Sequence, residues 1–93
     1  MYEFDRFEWD TNKAASNLAK HGFDFNDAWQ VFTDSNNRTF ECFGYAEQRF
    51  KTIGLCGRHL AAVVHTPRSG ACRIISVRHV WQKERSIYYD NNS

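Results

Sequence analysis

The stretch CRIISVRHVWQKERSIYY (residues 72–89) sets the interpretation of the whole chain. It begins as an apolar strand, turns cationic at Arg78 and His79, and closes as a charged helical segment that carries Arg85 and Tyr88. A strand that delivers cationic side chains to the end of a sheet, followed by such a helix, can grip and cleave a phosphodiester. Taken alone, the pattern is more typical of a last core strand with an ordinary amphipathic helix packed on it.

The chain begins with a predicted strand and a predicted helix. Residues 2–9 alternate between aromatic and polar side chains, which is typical of a strand. Asp10 is placed to cap the following helix, and Gly22 to end it in the left-handed conformation. The predicted apolar face of this helix consists of Ala14, Ala15, Leu18 and Ala19.

Lys13, Lys20 and His21 lie on the other side of this helix and have two explanations. They can form one basic ridge, or Lys20 and His21 can simply favour the negative end of the helix dipole.

A second helix is predicted from Phe23 and Asp24, which read as a staple residue and an N-cap. Its i, i+3, i+4, i+7 stripe, which predicts burial, consists of Phe25, Ala28, Trp29 and Phe32. The turn cluster at residues 34–37 ends the helix.

Four more strands are predicted at residues 38–43, 48–55, 60–65 and 71–77. Residues 60–65 are apolar on both faces and mark a central strand, and residues 66–70 form the next turn. A two-residue turn at Gly57 and Arg58 sets two cross-strand pairs, Phe50 with His65 and Leu55 with Leu60. The order β-α-α-β-β-β-β-α predicts an α+β fold in which an antiparallel sheet carries its helices on one face.

Composition predicts one small folded domain, residues 1–93. Apolar residues make up 42% and aromatic residues 16%, which excludes a disordered chain. No apolar run approaches the roughly 20 residues that span a bilayer, and the acidic, aromatic N-terminus is not a signal peptide. We therefore expect a cytoplasmic protein.

Charge is unevenly distributed along the chain. Residues 1–48 hold nine acids and four bases, whereas residues 49–93 hold eight bases and two acids. A cationic half predicts a surface for a polyanion.

The three cysteines, Cys42, Cys56 and Cys72, lack the spacing of a zinc site or a redox pair. We expect reduced thiols in strands, with neither a metal nor a cofactor.

Four segments resemble the BrnT family of toxins: FEWDTNKAASNLAKHGFDF (residues 7–25), RFKTIGL (49–55), LAAVVHT (60–66) and RIISVR with the later ER and YY (73–89). The resemblance covers essentially the whole chain. Its most specific pattern consists of Trp9, Asp10, Lys13, Asn17, Lys20, His21 and Gly22. A second marker is Ile-Ser-x-Arg followed by Glu-Arg and Tyr.

This resemblance implies a RelE-like fold and a ribonuclease that inhibits translation without a metal ion. It also implies a bacterial type II toxin–antitoxin pair, in which a small DNA-binding antitoxin neutralises the toxin and the complex represses its own promoter. The implied assembly contains two toxins and two antitoxins.

The chain departs from the family pattern after the last strand. Val77, His79, Val80 and Trp81 stand where the family usually has Ala, a basic residue, Ala and Thr. Thr with Glu three residues on is a capping box, and Trp81 cannot cap, so only Glu84 remains of it. We expect a frayed or shifted start of the last helix.

Metal-free RNA cleavage needs a base, an acid and cations that stabilise the charge on the phosphorane. Histidine transfers protons near neutral pH, and arginine binds phosphate through two hydrogen bonds. The predicted catalytic residues are Arg78 and Arg73, with His65 or His21 as base or acid. The predicted RNA-binding residues are Lys13, Lys20, Arg49, His79, Arg85 and Tyr88.

Each of the main candidates has a structural alternative. Arg73 can form a salt bridge to an acid of the first strand, such as Glu8, and His65 can make a hydrogen bond at the core edge. Arg78 is the strongest single candidate, because no acid near it in sequence is available. For the whole chain, the alternatives to a toxin are a non-catalytic nucleic-acid- or partner-binding module, and a heteromer subunit that acts only in autorepression.

Overall fold

The computed structural model describes residues 4–90. Its elements are β1 (Arg6–Trp9), α1 (Thr11–His21), a 3-10 turn (Phe25–Asp27), α2 (Trp29–Thr33), β2 (Arg38–Cys42), β3 (Arg49–Cys56), β4 (His59–Arg68), β5 (Ala71–His79) and α3 (Gln82–Tyr89). This order confirms the predicted α+β succession. The first strand is shorter than predicted, beginning at Arg6, and positions 2 and 3 of that prediction lie outside the described residues.

The five strands form one mixed sheet in the order β1-β5-β4-β3-β2. Strands β2 to β5 form the predicted antiparallel meander. The prediction of a wholly antiparallel sheet is wrong, because β1 pairs in parallel with β5, from Arg6 opposite Ala71 to Trp9 opposite Ile74. These two strands are joined through the elements from α1 to β4 rather than by a hairpin, so nothing local requires them to be antiparallel.

The β3–β4 hairpin has the predicted register. Phe50 lies opposite His65 and Leu55 opposite Leu60, on either side of a turn that contains Gly57 at φ 65°. The turn predicted at residues 66–70 is wrong at its start, because β4 continues through Pro67 to Arg68. Proline is tolerated there because the pairing of β3 with β4 ends at Phe50, which leaves no ladder bond for the missing N–H.

The helices lie on both faces of the sheet, which corrects the prediction of one helical face. On the inner face, defined as the one against α1 and α2, buried Phe25, Val31 and Val63 belong to the main core. Side chains alternate along β3, so Gly54 faces α2 while Ile53 points the other way. On that outer face Ile53, Leu60 and Tyr88 of α3 form a second, smaller core.

Helix α1 has its predicted ends but not its predicted buried face. The Asp10 carboxylate accepts from the Lys13 N–H at 2.9 Å, and Gly22 adopts φ 80°. Leu18 is 46% exposed, whereas Asn17 is 7% exposed. The Asn17 amide donates to the Val77 carbonyl at 2.8 Å and accepts from the Val77 N–H at 3.1 Å. A buried backbone edge that lacks a strand partner is costly, so a hydrogen-bonding side chain occupies this position.

The second predicted helix is split into the 3-10 turn and the short α2. The Asp24 carboxylate caps the turn by accepting from the Asn26 N–H. A 3-10 turn has three residues per turn instead of 3.6. The side chains that follow it therefore point in directions different from those that an α-helical spacing predicts. As a result Phe25 is buried as predicted, Trp29 is 49% exposed against prediction, and Val31 is buried in its place.

Cys42, Cys56 and Cys72 are reduced and form no disulfide with one another, as predicted. Within residues 4–90, no helix has the length and apolar character needed to cross a membrane.

Candidate functional site

The outer face of the sheet is covered by α3 over only part of its area, and a groove of about 380 Å³ lies on the uncovered part. Four cations from four elements line it: Lys13, Arg49, Arg68 and Arg73. We call this set, together with Glu47 on its rim, the basic groove. Ile75, Thr66 and Pro67 form the remaining lining.

The arginines of the basic groove are held by neighbours. Arg73 donates to Glu8 at 3.0 Å, which confirms the salt bridge considered as its structural role. Arg49 donates to Glu47 at 2.6 Å, and its guanidinium carbon lies 4.2 Å from the centre of the Tyr45 ring. A guanidinium has five N–H donors, so each arginine keeps donors for a phosphate while one carboxylate orients it. Among the described residues, the Lys13 side chain forms no ion pair.

A second cavity, of about 330 Å³, continues the groove along α1. Lys13 and Ile75 line both cavities, and Lys20 and His21 line the second. The basic ridge predicted for α1 therefore exists and joins the basic groove. Of the predicted site residues, the structure brings together Lys13, Lys20, His21, Arg49 and Arg73.

Arg78 lies in a different environment, because it has a carboxylate partner. Its two terminal nitrogens donate to the two oxygens of Glu84, each at 2.9 Å. Lys51 pairs with the same carboxylate at 2.8 Å, and the Trp81 N–H donates to it at 2.9 Å. The expectation that Arg78 lacks an available acid is wrong, since Glu84 lies six residues later on the first turn of α3. We call these four residues, Lys51, Arg78, Trp81 and Glu84, the Glu84 cluster.

Glu84 is 3% exposed and ionised. Burial alone would raise its pKa, but the hydrogen bonds from Arg78, Lys51 and the Trp81 N–H lower it to about 2. The Glu84 half of the capping box is thus present, whereas the Trp81 side chain makes no capping hydrogen bond. The helix begins at Gln82, directly after Trp81, so the expected shift of its start does not occur.

His65 and Tyr88 are core residues. His65 is fully buried, its Nε2 lies 2.8 Å from the Thr52 hydroxyl, and burial lowers its pKa to about 4. Tyr88 is 5% exposed and donates to Asp34 at 2.6 Å; burial first, and then Asp34, raise its pKa to about 12. Neither side chain lines the basic groove, so neither is positioned to contact a ligand bound there.

His79 and Arg85 line a separate cavity with Arg58 and His59. It lies at the opposite end of β5 from Arg73, so these two predicted RNA-binding residues are not part of the basic groove.

Sequence reasoning missed Arg68, Glu47 and Tyr45. Arg68 was missed because residues 66–70 were predicted to form a turn. In the structure β4 extends to Arg68, whose side chain lines the groove. Glu47 and Tyr45 lie in the loop before β3, where no periodic pattern exists to place a side chain.

An α+β fold with an uncovered sheet face lined by arginine and lysine defines a protein that binds a polyanion. A family model described as the ribonuclease toxin BrnT of a type II toxin–antitoxin system matches residues 9–84. The chain belongs to this BrnT family, as the sequence patterns predicted. It is a ribonuclease toxin, with RNA as its substrate and a cognate antitoxin as its partner. The comparison with curated proteins gives no match.

Proposed function

We propose that this toxin cleaves RNA in the basic groove, without a metal ion, and thereby inhibits translation. The observation that carries the proposal is the convergence of four cations, from α1, β3, β4 and β5, on one uncovered groove. Single-stranded RNA is a chain of phosphates, and guanidinium groups bind phosphate with two parallel hydrogen bonds.

In the proposed reaction, Arg73 and Arg49 hold the phosphate at which the chain breaks. The 2′-hydroxyl loses its proton and attacks this phosphate to form a 2′,3′-cyclic phosphate, while the bond from phosphorus to the 5′-oxygen breaks. Negative charge grows on the free phosphate oxygens during this step. Arginines that are already oriented, by Glu8 and Glu47 respectively, stabilise that charge without rearranging. Lys13 adds a further positive charge at the junction of the two cavities.

His21 is the histidine that lines the connected cavities, and we assign proton transfer to it. It lies at the end of α1, beside Lys20, and is partly exposed. An imidazole in contact with solvent can accept the proton of the 2′-hydroxyl and return one to the leaving 5′-oxygen. His65 is buried and has no such access, which supports the choice of His21.

We further propose that the antitoxin neutralises the toxin by covering the basic groove. A partner that occupies the groove excludes RNA from the same cations. Two toxins and two antitoxins form the proposed assembly, which binds its promoter DNA through the antitoxin. Light scattering of the co-purified pair measures this stoichiometry.

The test is cleavage of RNA by purified toxin in EDTA, with Lys13→Ala as the main variant. Its side chain forms no ion pair with any described residue, so its removal leaves no orphaned carboxylate. A lost charged hydrogen bond to the reacting phosphate predicts a rate lower by roughly 10- to 100-fold. Arg58→Ala, which removes an exposed arginine from the β3–β4 turn, is the matched control and should cleave at the wild-type rate.

Two results would contradict the proposal. Loss of wild-type activity in EDTA, restored by a divalent cation, would refute metal independence. Equal loss in Arg58→Ala and Lys13→Ala would show that overall charge, rather than the basic groove, determines the rate.

A further inference from the structure

Trp81 is a large apolar side chain left in solvent beside charged groups. It is 63% exposed, and its side chain makes no capping hydrogen bond for α3. The Arg78 guanidinium carbon lies 3.9 Å from the centre of the Trp81 ring, and the Lys51 ammonium lies 5.8 Å from it. Glu84 holds both cations in place. The ring is therefore packed on fixed cations on one side and presented to solvent over most of its area.

Strand β3 relates Trp81 to the basic groove through Lys51. Lys51 and Arg49 lie on the same face of β3, two residues apart, which corresponds to about 7 Å along a strand. The Lys51 ammonium lies over the Trp81 ring, and Arg49 lines the groove. The distance between them is comparable to one step along an extended RNA chain. A strand of RNA with one phosphate at Arg49 would therefore extend its next nucleotide toward Lys51 and the Trp81 ring.

We infer that Trp81 is a stacking platform for an unpaired base of the RNA bound in the basic groove. The inference rests on the proposed function and names the form of RNA that the groove accepts. Aromatic side chains backed by cations suit this role, because a base offers a π-face and its neighbouring phosphate offers negative charge. Tyr45 repeats the arrangement on the groove rim: it is 54% exposed and packed on Arg49.

Stacking requires a base whose face is free, and a duplex offers none along its length. The toxin should therefore prefer single-stranded RNA, and Trp81 should contribute to binding only where a base is present. A purely structural role of Trp81, as a cover for Arg78, would not depend on the bases of the ligand.

The experiment measures binding by fluorescence anisotropy to short 2′-O-methyl RNA, which lacks the free 2′-hydroxyl needed for cleavage. One strand carries its bases, and a second has the same phosphates but abasic sugars. Trp81→Ala should bind the strand with bases roughly 5- to 150-fold more weakly than wild type, and the abasic strand equally well. Trp81→Phe, which keeps a ring, should retain most of the affinity. Trp29→Ala, which removes a similarly exposed tryptophan from α2 on the inner face, is the matched control and should bind as wild type does.

Three results would overturn the inference. Trp81→Ala could bind the strand with bases within twofold of wild type, or lose affinity equally for both strands. It could also keep its affinity for RNA and lose it for the antitoxin, which would assign the ring to a protein partner. Lys13→Ala separates this failure from failure of the groove, because it should weaken binding to both strands even where Trp81 plays no part.

Discussion

Replacing Glu84 by Gln should destabilise the toxin by about 3 kcal/mol at pH 7. Glutamine has the shape of a protonated carboxyl group, so the change imitates protonation of Glu84 within the fold. The pKa of Glu84 falls from its ordinary 4.5 to about 2 in the folded protein. This difference is equivalent to about 3 kcal/mol of stabilisation by the ionised form. The group is 3% exposed, so solvent screens its ion pairs little.

The direction of the pH dependence follows from the lowered pKa. The stabilisation by ionised Glu84 is complete above pH 4.5 and is lost as the pH falls through about 2. The difference between wild type and Glu84→Gln should therefore shrink by about half at pH 3.

Urea unfolding followed by circular dichroism at pH 7 and pH 3 measures both quantities. Glu41→Gln, a change at an exposed carboxylate on β2, is the control and should stay within about 0.5 kcal/mol of wild type. A Glu84→Gln protein as stable as the control at pH 7 would contradict stabilisation by ionised Glu84, and so would a difference that is independent of pH.

Two further predictions concern the inner face. The imidazole of His65 should titrate near pH 4 in a ¹³C NMR experiment, with the signal assigned through His65→Gln, because burial disfavours its charged form. The unfolded chain takes up this proton near pH 6.5, so the stability contributed by neutral His65 should fall between pH 6.5 and 4; a midpoint above 6 would contradict the burial argument. Gly54→Ala should lower the free energy of unfolding by about 1–3 kcal/mol, since an added Cβ would lie 2.9 Å from the Val31 carbonyl oxygen. Urea denaturation measures this change. An unchanged midpoint would contradict the prediction, because it would mean that α2 can shift away from the added Cβ with no loss of stability.

Features set by neighbouring residues were predictable from the sequence. The caps Asp10 and Gly22, the β3–β4 turn at Gly57 and the register across it all follow from chemistry within a few residues. The two sequence patterns that resemble the BrnT family indicated the toxin class that the family model also gives. The parallel pairing of β1 was not predictable in this way, because it depends on where the chain returns after more than 60 residues.

Several predicted site residues lie away from the basic groove for one physical reason. Residue type alone specifies neither how deeply a side chain is buried nor which way it points. His65 and Tyr88 are polar enough to suggest chemistry, yet strand alternation and the α3 docking turn both into the cores. Arg78 looked unpaired because Glu84 approaches it only when α3 folds back over the sheet. Lys13, by contrast, lines one cavity with Lys20 and His21, since its position on α1 follows from helical spacing alone.

The amide of Asn17 has a consequence for how other chains can approach this protein. Strand β1 pairs with β5 only as far as Ile74, and the Asn17 side chain occupies both backbone groups of Val77 beyond that point. An unpaired strand edge is a template on which a foreign strand can add itself, in aggregation as well as in partner binding. At Val77 the backbone N–H and C=O already bond to the side chain of Asn17 in α1, so they are not available to a foreign strand that approaches β5. Strands β1 and β2, by contrast, are the two edge strands of the described sheet, at which a partner strand could extend it.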